Sequence, residues 1–163
     1  MFSLEIVTLA RLLVDEARQR QLRIVTAESC TGGLVAAAIC QVAGASDVFE
    51  RGFITYSNRA KQEMLGVPGD LIADLGAVSE AVARAMAEGA LEHASAHLSV
   101  SITGVAGPGG GTARKPVGTV HIATARANQP IRHQVELFDL DTREAIQMAA
   151  VEAALQAMRD RLA

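Results

Sequence analysis

Ser29, Tyr56 and Lys61 are the side chains of this sequence whose types and spacing could do covalent chemistry. Ser29 stands in Glu28-Ser29-Cys30-Thr31-Gly32-Gly33, between a β-rich run and a helical pattern of small residues. A serine in such a turn can act as a nucleophile while backbone N–H groups of the turn hold an oxyanion or a phosphate. It can equally cap the helix, as can Thr31. Cys30 is a rival nucleophile, because a helix N-terminus lowers a thiol pKa; its other reading is a small buried hydrophobe. Tyr56 is the only tyrosine, and Lys61 is one of only two lysines among 15 basic residues, the other being Lys115. Arginine stays protonated, whereas a desolvated lysine can lose its proton and act as a base. Lys61 is therefore a candidate general base, with Tyr56 to relay a proton or orient it. Lys115 is a candidate phosphate or carboxylate contact, and the plain alternative is a pair of solvated surface lysines.

A third polar segment runs from Thr103 to Gly118 and contains Gly104-Val105-Ala106-Gly107-Pro108-Gly109-Gly110-Gly111. Gly104 and Gly107 let backbone approach a ligand closely. No GK[ST] follows and no helix opens directly behind, so this is neither a Walker loop nor a dinucleotide fingerprint. A phosphate-holding loop and a flexible lid both remain open. Thr103 can donate to a substrate or cap the turn. His93, His97, His121 and His133 lie in helix or strand patterns away from these loops, which argues against a Ser-His-Asp triad. No histidine or carboxylate spacing suggests a metal, and no cofactor motif is present, so neither is expected.

These loops need strands to carry them. Residues 3–20 read as an amphipathic helix with Leu4, Val7, Leu9, Leu12, Leu13 and Ala17 on one stripe. Strands are predicted at 22–27, 49–57 and 98–104, with helices at 34–43, 58–65 and 79–95 and a short helix or turn at 70–75. The inner face of the 79–95 helix is expected at Val82, Ala85, Met86, Gly89, Ala90 and His93. Two adjacent strands, 117–126 and 131–138, read as an antiparallel hairpin, and a last helix follows from 141 to 161. Alternating strands and helices imply a three-layer α/β/α sandwich with a mostly parallel, mixed sheet. In such sheets ligands bind beyond the carboxyl ends of the strands, where all three polar segments fall.

The composition bounds the function. A length of 163 residues suits one domain spanning 1–163. The net charge of −3 and one Tyr, four Phe and no Trp disfavour a nucleic-acid partner. No apolar run reaches the ~18 residues of a membrane span, and no signal-peptide pattern opens the chain, so a cytoplasmic location is expected. If Cys30 and Cys40 shared a helix, roughly 15 Å would separate them, too far for a disulfide. A homodimer is the expected assembly on general grounds.

Four blocks together resemble the CinA C-terminal domain family: TAESCTGG (26–33), GASDVFERGFITYSNRAK (44–61), GAVSEAVARAMAEGAL (76–91) and SITGVAGPGGGTARKPVGTVHIA (101–123). They come in the family's order and spacing. Members include nicotinamide mononucleotide deamidases, which release ammonia from nicotinamide mononucleotide to give nicotinate mononucleotide. The resemblance implies the stand-alone amidase form, a role in pyridine nucleotide recycling and a small-molecule nucleotide as partner. It places the catalytic serine on Ser29 and the family's tyrosine and lysine on Tyr56 and Lys61. The family's loop elements fall on Thr103, Gly104, Gly107 and Lys115, and the turn residues Cys30, Thr31, Gly32 and Gly33 are expected to bind substrate through their backbone N–H groups. A non-catalytic nucleotide-binding module and a competence-associated interaction module are the alternatives. The match departs at Gly109, where many members have Asp. It departs again at Leu140-Asp141-Thr142, where many have Gly-Asp-Arg and this chain carries Arg143 one position later. If that arginine touches substrate, Arg143 replaces it or phosphate recognition is weaker.

Overall fold

The computed structural model describes Met1–Ala163. Its elements are α1 (Leu4–Gln19), β1 (Ile24–Glu28), α2 (Leu34–Cys40), β2 (Phe49–Ile54), α3 (Asn58–Leu65), α4 (Gly69–Leu75), α5 (Glu80–Glu92), β3 (Leu98–Gly104), β4 (Thr119–Arg126), β5 (Arg132–Leu137) and α6 (Arg143–Asp160). One sheet has the order β2-β1-β3-β4-β5. β1 pairs parallel with both β2 and β3, while β3-β4 and β4-β5 pair antiparallel. The sheet is mixed, as expected, and divides where the helical crossovers stop and the hairpin begins.

Each sheet face buries its own helices. On one side α1, α2 and α6 pack Leu13, Val35 and Leu155 against Ile24, Val100, Ile102 and Ile122. On the other, α3, α4 and α5 close over Val25 and Ala27 with Leu65, Ile72 and Met86. Both faces of the central strands are covered, so β1 and β3 are buried residue after residue and lack the in-out alternation of a half-exposed strand, even where Ser99, Ser101 and Thr103 alternate with apolar residues. Two polar side chains of β3 are bonded to α5: Ser99 Oγ donates to Ala87 O and Ser101 Oγ to Ala83 O, both at 2.6 Å, whereas the buried Thr26 Oγ1 of β1 has no partner. Gly89 of α5 has no room for a Cβ, which would collide with the Leu65 carbonyl, and this close approach seats the end of α3. No helix of the chain is long and apolar enough to cross a membrane.

Two expected faces are corrected. The buried stripe of α1 is Ile6, Ala10, Leu13, Val14 and Ala17, whereas Leu4 and Leu12 are exposed. Ala10 belongs to this stripe because its small side chain admits close packing, a role that hydrophobicity alone underrates. In α5 the buried face includes Ala83 and Ala87, packed on Ala123 and Ala125, while His93 lies at the exposed C-cap. The helix predicted over 34–43 stops at Cys40, and Cys30 precedes it. Cys30 is buried, Cys40 exposed, and both are free.

Candidate active site

Three loops at the carboxyl ends of β1, β2 and β3 converge on a cleft of ≈ 300 Å³. Its lining includes Ser29, Cys30, Tyr56, Lys61, Thr103, Gly104, Gly107 and Arg143. Sheet pairing sets its floor. The Ser29 N–H donates to Ile102 O at 2.9 Å, and the Thr55 N–H to Glu28 O at 2.8 Å. The turns after β1 and β2 are thereby fixed to neighbouring strands before any side chain is considered.

Lys61 crosses from α3 to Ser29. Ser57 caps α3 by accepting from the Ala60 N–H at 3.0 Å, and Lys61 falls in the first turn, facing the sheet. The side chain is 1% exposed. Its Nζ lies 2.9 Å from Ser29 Oγ and donates to Thr55 O at 2.7 Å and Tyr56 O at 3.4 Å. No carboxylate bonds to it. Burial lowers its pKa to about 8 from the usual 10.5. A neutral amine has two N–H donors and one lone pair. With the two carbonyls taking the donors, the lone pair is left for the Ser29 hydroxyl proton.

Glu28 is the residue that sequence reasoning missed. Its side chain is fully buried. It accepts from Thr31 Oγ1 at 2.7 Å, the Val35 N–H at 2.9 Å and the Ala36 N–H at 3.0 Å. The orphan donors of α2 are thus satisfied from within the turn, so the start of that helix is not a free anion site. The available signal was a lone Glu in a β-rich run directly before a Gly-Gly helix start. The Gly32 N–H donates to Ser29 O, while the Cys30 and Thr31 N–H groups donate to no backbone carbonyl. The Gly33 N–H likewise donates to no backbone carbonyl, and of these three residues Cys30 lines the cleft.

The other expected residues divide. Gly104 and Gly107 wall the cleft, and Gly107 has φ +77° with a notional Cβ 2.5 Å from Val117. Thr103 lines it too, but its hydroxyl donates to Ala77 O at 2.8 Å and so joins β3 to the segment before α5. Thr31 is buried on Glu28, and Gly32 and Gly33 lie outside the lining. Lys115 is not in this cleft. Its Nζ donates to Leu75 O at 2.6 Å, and it lines a neighbouring groove. The Tyr56 side chain is 59% exposed and does not reach Lys61, which is held by the Tyr56 carbonyl instead. The Tyr56 hydroxyl accepts from Arg143 Nη2 at 2.7 Å, and Arg143 Nη1 donates to Gly107 O at 2.6 Å. Arg143, at the start of α6, therefore stands at the cleft with only neutral partners.

Cys30 is held in a poor state for attack. Burial, with the nearby Glu28 charge adding to it, raises its pKa to about 12 despite its own backbone N–H. Iodoacetamide on the folded protein is expected to add once, at Cys40, and leave Cys30 unmodified by peptide mass. Labelling of Cys30 ahead of Cys40 would mean that its thiol is reactive. No histidine lines the cleft. His121 and His133 instead stack on each other, with Nδ1 and Nε2 2.9 Å apart, on the hairpin.

Fold and site define a class: an α/β protein whose serine contacts a buried lysine beyond the ends of parallel strands. The comparisons narrow it. The CinA C-terminal domain model matches residues 6–162, and the chain belongs to that family. It is 46% identical over 154 residues to the nicotinamide-nucleotide amidohydrolase PncC of Escherichia coli K12, covering 94% of this chain and 93% of that protein. It is 48% identical to a CinA-like protein of Akkermansia muciniphila over 93% of this chain, but that match spans only 37% of the relative's length. A solved competence/damage inducible protein from Agrobacterium tumefaciens superposes with a TM-score of 0.96 at 44% identity, over 98% of this chain and 97% of that one.

Proposed function

We propose that this chain is an amidohydrolase that cleaves the carboxamide of nicotinamide mononucleotide to nicotinate mononucleotide and ammonia, with Ser29 as nucleophile and Lys61 as base. The observation that carries this reading is the 2.9 Å approach of the buried Lys61 Nζ to Ser29 Oγ. The relatives named nicotinamide-nucleotide amidohydrolase support this choice of substrate.

The reaction begins with neutral Lys61 taking the Ser29 hydroxyl proton as Oγ attacks the carboxamide carbon. The oxyanion sits against the Cys30 N–H group, and one such donor is worth about 2.7–4 kcal/mol in other serine hydrolases. The Lys61 ammonium then protonates the departing nitrogen, the C–N bond breaks and ammonia leaves. Lys61, neutral again, deprotonates a water that opens the nicotinoyl ester, and Ser29 recovers its proton. The pyridinium charge of the substrate favours neutral Lys61, adding to desolvation. The product is an acid available for pyridine nucleotide recycling.

Arg143 takes the 5′-phosphate in this reading, in place of Lys115. Both of its bonds go to neutral acceptors, so its charge is available to an anion at the cleft. Arg143→Ala is expected to raise KM for the mononucleotide by about 10–100-fold, the worth of one charged hydrogen bond. Turnover of the phosphate-free riboside should change little. An equal effect on both substrates would remove the phosphate role.

The deciding assay is ammonia release from nicotinamide mononucleotide by wild type and Ser29→Ala, without added metal. Release by wild type alone supports the amidase and its nucleophile. Binding without release by a folded wild type would favour a nucleotide-binding module.

A further inference from the structure

We infer that β5 is a self-pairing edge, joining two copies of this chain into one continuous sheet about a twofold axis at Gln134. β5 is the last strand on the hairpin side of the sheet, and nothing pairs with its outer edge. Phe138 N–H bonds to Gly118 O, and β4 pairs Val120 with Glu136, Ile122 with Gln134 and Thr124 with Arg132. Backbone groups alternate sides along a strand, so those of His133, Val135 and Leu137 point outward. Natural edges are usually blunted by charged side chains, proline, a bulge or a covering element. β5 has no proline and no bulge, its charges Arg132 and Glu136 are of opposite sign, and it carries Val135 at 55% and Leu137 at 66% exposure.

The charges choose both the partner and the register. Arg132, Gln134 and Glu136 share one face of the strand, with Gln134 midway. When two β5 strands meet antiparallel with Gln134 opposite Gln134, Arg132 of each copy faces Glu136 of the other. His133 then faces Val135, and that pair can exchange both backbone bonds. Sliding the pairing by one hydrogen-bonded step sets a charged residue against Gln134 and loses both ion pairs. Glu136 is free to respond, since its only side-chain bond is the one it accepts from Gln134 at 2.9 Å. The strand is thus complementary to itself, which identifies the occupant as a second copy. This assignment is independent of the proposed chemistry.

Charge reversal tests it. Sedimentation velocity over a concentration series should show a dimer for wild type. Arg132→Glu and Glu136→Arg should each weaken association about tenfold or more, because like charges then face each other twice. The double reversal should restore it. In a Cys40→Ser background, Gln134→Cys should oxidise to a cross-linked dimer, since directly opposed Cβ atoms in a non-hydrogen-bonded pair lie about 4.5–5.5 Å apart. Cooperative melting of every variant shows that the fold is intact. A monomer at every concentration would overturn the proposal. So would a dimer indifferent to both reversals, or a failure of Gln134→Cys to cross-link.

Discussion

Lys61→Arg is expected to lower kcat for ammonia release by about 10³-fold or more, within the range of lost general-base catalysis. The charge stays but the base does not, because a guanidinium does not deprotonate near neutrality. Lys61→Met, which keeps an unbranched stem in the same buried channel, should fall as far. In wild type kcat/KM should rise with pH and level off above about 8, where Lys61 becomes neutral. Neither variant should show that limb. Full activity in Lys61→Arg would exclude Lys61 as the base.

The same shift predicts a stability profile. Lys61 has a pKa of about 8 in the fold against 10.5 when free, so between these values the unfolded chain binds the extra proton. Stability from this group therefore rises with pH across that window. Below about 8 both states are protonated and the burial penalty is felt in full. The gap corresponds to about 3 kcal/mol. Urea denaturation of Lys61→Met at pH 7 and pH 10 should show a smaller pH-dependent gain than wild type; an equal gain would assign the effect elsewhere.

Glu28→Ala should cost about 3–5 kcal/mol of stability. It strands the Thr31 hydroxyl and the Val35 and Ala36 N–H groups in a buried turn, each orphan worth about 1–3 kcal/mol before relaxation. In a chain of this size that is a fall in Tm of about 10 °C. Glu28→Gln should lose less, since its amide oxygen still serves two donors while its NH₂ meets a third. Both should lower kcat, because the turn that Glu28 holds is the one that presents Ser29. A Glu28→Ala protein that melts with wild type would show that water satisfies these donors.

The strands and helices were legible in the sequence wherever local chemistry decides them. Gly66 ends α3 and Leu98–Gly104 forms a buried strand, both as the pattern predicts, whereas the strand read over 49–57 stops at Ile54 and Ser57 instead caps α3. Serine beyond a buried strand and a scarce lysine sufficed to single out Ser29 and Lys61. Local pattern did less well for helix faces. Hydrophobicity ranked Leu4 above Ala10, but the packing of α1 on α6 buries the alanine and exposes the leucine.

What the sequence determined by itself were the residue types, the loops that bear them and the α/β alternation, because backbone propensity and hydrophobic periodicity act over a few neighbours. Tertiary structure alone decided which groups meet. Lys61 reaches Ser29 because β1 and β2 pair in parallel, and the backbone of Tyr56, not its ring, turns the amine. Arg143 arrives from 87 residues along the chain to meet Tyr56, while Lys115 is diverted to Leu75. Distances between residues far apart in sequence depend on sheet order and register. The lowered pKa of Lys61 depends on removal from water. Neither is a property of any local segment.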